Sequence, residues 1–169
     1  MSSSETNPLL RRISRRGVLV MLPLALGACG FTAVYAPGGT GSTLRGNVTV
    51  NEPGSRSAFL LTRRLEETLG RSVQPAYRLN VSVSSRTEGL AFSRAGSITR
   101  YNLIGTADYA LVEVATGQVM MSGDVENFTG YSATGTNVAT LAARRDAEQR
   151  VMVLLADQIT TRLLASDLS

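Results

Sequence analysis

Few side chains in this chain could do chemistry, because the sequence contains no histidine and all 17 of its basic residues are arginine. The lack of histidine excludes Ser-His-Asp and Cys-His catalysis, histidine metal sites and the usual general base at neutral pH. The lack of lysine excludes Schiff-base chemistry and Ser-Lys hydrolysis. Carboxylates and a single cysteine, Cys29, remain.

Two carboxylate pairs could support acid-base chemistry. Glu66 and Glu67 are adjacent on a predicted helix, so their side chains point about 100° apart. Asp124 and Glu126 share one face of a predicted strand, where charges ordinarily face water. We interpret both pairs as solvated charges and expect no enzyme, no metal and no cofactor, although a carboxylate hydrolase is a possible alternative function.

Cys29 follows the pattern of a bacterial lipoprotein signal. The basic pair Arg15-Arg16 precedes an uncharged apolar stretch that ends in Leu26-Gly27-Ala28-Cys29. This stretch is shorter than the roughly 20 apolar residues of a membrane-spanning helix, which indicates a cleavable signal. We therefore predict that residues 1–28 are removed and that Cys29 carries covalent acyl chains such as palmitate, which anchor the protein to a membrane.

The signal also bears on export and sorting. The run Ser14-Arg15-Arg16-Gly17-Val18-Leu19 resembles a twin-arginine signal, so export by the Sec or the Tat route stays open. Gly30 follows the cysteine in place of the aspartate associated with inner-membrane retention. We expect the mature protein on the periplasmic side of the outer membrane.

The net charge of +4 does not predict a nucleic-acid partner, because four of the arginines lie in the signal at positions 11, 12, 15 and 16. The chain that follows Cys29 is long enough for one domain with a substantial core. Glycine, threonine and proline dominate residues 30–46, so we predict a flexible tether over 29–46 and a single domain over 47–169.

The spacing of apolar residues changes along the chain, from every second residue in predicted strands to every three or four residues in predicted helices. A short strand over 47–51 precedes an amphipathic helix from Arg56 to Leu69, which ends at Gly70. Alternation of apolar and polar residues then predicts a strand from Tyr77 to Ser84.

The segment that follows breaks this alternation at Gly89 and Gly96, which predicts a long hairpin loop over 85–97. Its residues Leu90 and Phe92 could pack back on the sheet or insert into a partner. Two further strands, Ile98–Val114 and 119–128, lead through a loop to a helix from Thr136 to Leu164. The order predicts an α+β two-layer sandwich, with about four mostly antiparallel strands, two helices on one sheet face, and the other face uncovered.

Five segments of the chain share a pattern with one known family. They are Cys29-Gly30-Phe31-Thr32-Ala33-Val34-Tyr35, Tyr77-Arg78-Leu79-Asn80-Val81, Thr99-Arg100-Tyr101-Asn102-Leu103, the Thr116-Gly117 hairpin, and Asn137 to Leu164. These segments resemble lipopolysaccharide-assembly lipoproteins of the LptE type. The departure from that family is Thr32-Ala33 after Phe31, where a proline is usual; here proline first appears after Phe31 at Pro37.

The resemblance implies a non-enzymatic outer-membrane lipoprotein whose partners are an outer-membrane β-barrel and lipopolysaccharide. It implies that the domain plugs the barrel, assists its assembly and helps to deliver lipopolysaccharide to the cell surface. Basic residues near loop tips would then contact the lipid A phosphates, and Arg86, Arg94 and Arg100 are the candidates. The alternative of similar size and build is an auxiliary lipoprotein of an ABC-type lipid transport system.

Overall fold

A computed structural model describes residues 39–166. Their four strands form one sheet in the order β1-β2-β3-β4, in which β1 is parallel to β2 and the other neighbours are antiparallel. This confirms the predicted α+β fold with a mostly antiparallel sheet. The elements are α1 (Thr40–Leu44), β1 (Val48–Val50), α2 (Arg56–Leu69), β2 (Tyr77–Phe92), β3 (Ile98–Glu113), β4 (Val119–Ser132) and α3 (Asn137–Ala165).

The core lies between one face of the sheet and the helices α2 and α3. Leu79 on β2 and Leu111 on β3 are register partners, and both are fully buried beneath the helices. Residues of the other parity, such as Arg78, Asn80 and Asp108, are exposed, so the predicted uncovered face is present. The helices contribute the buried side chains Leu61, Leu65, Leu69, Val151, Leu155, Ile159 and Leu163.

A close approach between β3 and α3 depends on Gly105. A Cβ atom built on this residue would lie 3.0 Å from Leu155 Cδ1 and 3.3 Å from Met152 Cε. Contacts at 3.0 Å are shorter than van der Waals separation, so glycine lets the helix pack directly on the strand. Both long helices also begin at side-chain caps, with Ser55 Oγ and Thr136 Oγ1 accepting hydrogen bonds from backbone N–H groups three residues on.

The predicted tether is wrong for residues 39–46, which belong to the fold. Leu44 at the end of α1 is fully buried, and Gly46 N donates to Leu69 O at 2.8 Å. Thr40 Oγ1 donates to Ser166 O at 2.9 Å. Glycine, serine and threonine have low helix propensity, so α1 forms through these tertiary contacts, which its composition does not reveal. The signal over 1–28, Cys29 and the rest of the predicted tether lie outside the described residues.

The predicted loop over 85–97 is also wrong, because most of it is strand. β2 continues to Phe92 and pairs with β3 as far as Ile98, with bulges between Gly89 and Phe92. Cross-strand hydrogen bonding supplies the structure that the side-chain pattern lacks. The turn is confined to residues 93–97, and β4 likewise extends past the predicted Phe128 to Ser132. In the described part of the chain, no helix is long and apolar enough to cross a bilayer.

Candidate functional site

One end of the sheet projects past the helices and carries the candidate site, which we call the distal end. It comprises the β2–β3 turn over 93–97, the strand residues beside it, and the first three turns of α3. The end of β4 joins these parts, because Arg100 and Ser132 are register partners and Ala133 N donates to Thr99 O at 2.9 Å. α3 begins at Asn137, only five residues after β4 ends.

Apolar side chains at the distal end face solvent. The exposed fractions are 61% for Leu90, 65% for Phe92 and 79% for Val138, and Leu141 is about half exposed. Leu90 and Phe92 therefore do not pack back on the sheet, which was the first of the two predicted possibilities. Other large apolar side chains, such as Val73 and Val119, are exposed elsewhere, but those of the distal end lie close to its turn and are typical of a contact surface.

A stacked aromatic pair stabilises the strands next to the distal end. Tyr101 on β3 and Tyr131 on β4 are register partners. Their ring centroids are 5.3 Å apart and the ring planes are inclined by 17°. Tyr131 is buried. Such pairs stabilise beyond the area they bury, so the distal strands keep a fixed shape although the helices do not cover all of them.

Arg86 lies in β2 on the uncovered face, not in a loop as predicted. Its guanidinium is 3.2 Å from Glu88 Oε1 and 3.4 Å from Glu126 Oε2. The hydrogen bond to Glu88 is the main cause that raises the pKa of Arg86, and the bond to Glu126 adds to it. The guanidinium of Arg86 therefore already has two carboxylate partners, Glu88 on its own strand and Glu126 on β4.

Arg94 and Arg100 have a different setting. Arg94 is exposed in the distal turn, and Arg100 is exposed on β3 beside Gly130, where a Cβ atom would lie 3.6 Å from Arg100 Nε. Within residues 39–166 no carboxylate oxygen lies within 4.0 Å of either guanidinium. The structure therefore separates the three predicted arginines into one that is ion-paired and two with open donors.

Sequence reasoning missed two further arginines, Arg144 and Arg145. They belong to a mixed-charge run of the predicted helix, Arg144, Arg145, Asp146, Glu148 and Arg150, and such a run predicts a solvated face with local ion pairs. Arg144 and Arg145 are exposed in the third turn of α3. The acids near them pair elsewhere: Asp146 pairs with Arg150, and Glu148 accepts a hydrogen bond from Ser57 Oγ of α2 at 2.5 Å. No sequence signal reveals that Glu148 points to another helix.

The arrangement suits an amphiphilic anion. Arginine guanidinium groups bind phosphate oxygens with paired, charge-assisted hydrogen bonds. The neighbouring apolar side chains can cover hydrocarbon. The distal end therefore combines the two chemistries that a phosphorylated lipid requires.

The predicted carboxylate pairs have surface roles. Glu66 pairs with Arg71 at 2.8 Å, and Glu67 lies 3.6 Å from Arg63. Glu126 pairs with Arg86, and Asp124 is exposed on the uncovered face. Among the residues that the structure describes, no group of three side chains could hold a metal ion. Each of these four carboxylates is thus either paired with an arginine or exposed at the surface.

A family model described as LptE, lipopolysaccharide-assembly, matches residues 42–163. No curated protein matches the chain by sequence.

Solved structures with the same fold come from several bacteria. The three described here are below 25% sequence identity, so their likeness concerns the fold alone. A protein of Caulobacter crescentus is 23% identical with a TM-score of 0.61, covering 74% of this chain and 92% of its own. Rare lipoprotein B from Shewanella oneidensis is 16% identical with a TM-score of 0.54, covering 69% and 91%. A minor lipoprotein from Acinetobacter baumannii is 19% identical with a TM-score of 0.50, covering 70% and 88%.

Proposed function

This chain belongs to the lipopolysaccharide-assembly family LptE, and we propose that it plugs the outer-membrane β-barrel that translocates lipopolysaccharide. In this function it also assists assembly of the barrel and helps to deliver lipopolysaccharide to the cell surface. The family match over residues 42–163 is the observation that carries the proposal. The family is non-enzymatic, as predicted from the missing histidine and lysine.

The anchor in this proposal is a set of acyl chains on Cys29. The sequence Leu26-Gly27-Ala28-Cys29 after a short apolar stretch supports it. With Gly30 next in the chain, the protein is delivered to the periplasmic side of the outer membrane. Two or three acyl chains hold a soluble domain there without a membrane-spanning helix.

The distal end is the lipopolysaccharide-contacting surface in this proposal. Arg94 and Arg100 present open donors to the lipid A phosphates, and Arg144 and Arg145 enlarge the basic surface. Leu90, with the exposed apolar side chains near it, contacts acyl chains. Arg86 contributes less than the other candidates because Glu88 and Glu126 compete with a phosphate for its donors.

Co-purification tests the partner. The full, lipidated chain with an affinity tag after Ser169 is isolated from detergent-solubilised envelopes. The expected result is a large outer-membrane β-barrel in stoichiometric amount. An inner-membrane permease or shuttle protein in its place would instead identify an ABC-type transport system and refute the proposal. Cys29→Ser is the control variant, and it should lose the barrel together with membrane fractionation.

Direct binding tests the distal end. We expect Arg94→Ser with Arg100→Ser to lower the affinity for purified lipopolysaccharide by about tenfold, since charge-assisted hydrogen bonds are among the stronger ones. Arg86→Ser is the matched control on the same strand pair, and it should change affinity by less than about twofold. Equal losses from both variants would show that general positive charge, and not the distal end, binds the lipid.

A further inference from the structure

The middle of the uncovered sheet face carries short side chains. Two successive rows of register partners run across β2, β3 and β4 there: Asn80-Ala110-Ser122 and Ser82-Asp108-Asp124. Their outer members, such as Ser82 and Ser122, are exposed. A face of short side chains lets a second sheet approach to about 10 Å, which is the usual distance between packed sheets.

Asp108 and Asp124 lie directly opposite each other in this part of the face. Asp124 O accepts a hydrogen bond from Arg162 Nη1 at 2.5 Å, so the backbone groups of Asp124 point away from β3. The two aspartates therefore form a pair without mutual backbone hydrogen bonds, the type in which opposite side chains lie closest. Like charges directly opposite each other destabilise a sheet.

Neither aspartate has a cationic partner in the part of the chain that the structure describes, where no arginine nitrogen lies within 4.0 Å of its carboxylate. Arg162 binds the backbone carbonyl of Asp124 and not its carboxylate. Arg86, on the same face, pairs with Glu88 and Glu126. Residues 39–166 thus leave two adjacent negative charges without a partner.

An exposed aromatic side chain stands on the same face. Phe128 lies two register rows beyond Asp124 on β4 and is 64% exposed. Its register partner Ile104 is only 7% exposed, although it too lies on the uncovered face. Aromatic side chains are enriched in protein interfaces, where they often contribute most of the binding energy. The uncovered face therefore combines an apolar anchor with a negative centre.

We propose that the uncovered face packs against the inner wall of the partner β-barrel, and that this wall carries arginine or lysine side chains opposite Asp108 and Asp124. The inference rests on the proposed function, because it takes the barrel as the partner. The wall of a barrel is itself a sheet with polar side chains toward the lumen. Cations of the wall relieve the repulsion between the two aspartates, which the free chain retains.

The charge of the face argues against lipopolysaccharide as its occupant. The phosphates of that lipid are anionic and would meet the carboxylates of Asp108 and Asp124, and like charges in a contact are unfavourable. The uncovered face and the distal end thus bind different partners. The wall of the barrel occupies the first, and the lipid occupies the second.

Competition for the barrel tests the face. A tagged, lipidated chain is produced together with the untagged wild type, and the barrel that is isolated with the tag is quantified. We expect Asp108→Asn with Asp124→Asn to capture at least about fivefold less barrel than the tagged wild type, because charge-assisted contacts are lost. Glu52→Gln with Glu67→Gln removes two exposed charges elsewhere and should change capture by less than about twofold. Equal capture by the two double variants would overturn the proposal.

Charge reversal tests the chemistry of the wall. Asp108→Arg brings a cation toward the proposed cations of the barrel, so it should capture at least about threefold less barrel than Asp108→Asn. Equal capture by these two variants would show that charge does not select the face, and would overturn the basic wall. If the tagged wild type captures no barrel at all, the proposed function itself is refuted.

Thermal unfolding of the purified full chain separates binding from folding. Asp108→Asn removes the repulsion with Asp124, so its unfolding midpoint should be higher than that of the wild type by about 1–4 °C. A residue that only stabilised the fold would lower the midpoint when replaced. A lower midpoint together with lost capture would therefore overturn the proposal, because both effects would then come from the fold.

Discussion

The two halves of β2 have different environments although they form one continuous strand. From Tyr77 to Val83, alternate side chains lie beneath the helices, and Leu79 is fully buried. From Ser84 to Leu90, every residue is exposed. The covered half thus contributes to the core, whereas the distal half is held by strand pairing and presents side chains to solvent. Substitutions in the covered half should change stability, and those in the distal half should change binding.

Leu155→Ala should give the largest effect, because this side chain is fully buried and packs on β3 at Gly105. We expect a loss of about 2–5 kcal/mol in the free energy of unfolding, from lost burial and the resulting cavity. Chemical denaturation measures it. A loss below about 1 kcal/mol would contradict the assigned core.

Leu44→Ala tests whether α1 belongs to the folded core. Leu44 is fully buried at the edge of the core, so we expect a loss of about 2 kcal/mol in the free energy of unfolding. Ser42→Ala, at an exposed position of the same short helix, is the control and should change it by less than about 0.5 kcal/mol. Equal effects of the two substitutions would restore the tether interpretation of residues 39–46.

Gly105→Val and Gly130→Val compare a position directly beneath α3 with one near the distal end. The side chain added by Gly105→Val would overlap Leu155 and Met152, so we expect a destabilisation of about 1–3 kcal/mol. At Gly130, near the distal end, an added Cβ atom meets nothing closer than 3.6 Å. Gly130→Val should therefore be tolerated, and a thermal unfolding series of both variants measures the contrast. Similar losses would mean that the helices do not approach β3 as described.

Phe92→Ser should have the smallest effect on stability, below about 0.5 kcal/mol, because the side chain is largely exposed. If the distal end binds lipopolysaccharide, the same substitution should weaken that binding several-fold. Parallel unfolding and binding measurements separate the two quantities. Loss of stability together with binding would place Phe92 in the core and remove it from the contact surface.

The sequence predicts best those elements whose side-chain pattern decides their structure. The helix from Arg56 to Leu69 matches the prediction to the residue, because it has a strong apolar stripe and a clear cap. The long α3 lies within one residue of its prediction, because it also begins at a clear cap and its apolar residues recur mainly every three or four positions. The distal part of β2 was missed because both of its faces are exposed and its side chains do not alternate. Its structure comes from β3, a partner that periodicity cannot reveal.

The candidate site was predicted only in part, for a related reason. Arg94 and Arg100 were identified from their place near a turn. The pairing of Arg86 with Glu126 depends on the register of strands 40 residues apart. Arg144 and Arg145 were assigned local partners, because the contact between Glu148 and Ser57 joins two helices far apart in the sequence. Local charge patterns do not contain such long-range contacts.

The hydrogen bond from Thr40 to Ser166 joins the beginning and the end of the described fold. Nine residues separate Cys29 from Gly39. If Cys29 carries the proposed acyl chains, the bilayer surface is at most about 36 Å from Gly39, given the reach of an extended chain. Any tension along a lipid anchor would enter the domain at α1 and pass directly to the last turn of α3. Because Leu44 is buried in the core and Gly46 bonds to Leu69 of α2, the core would share that force with this junction.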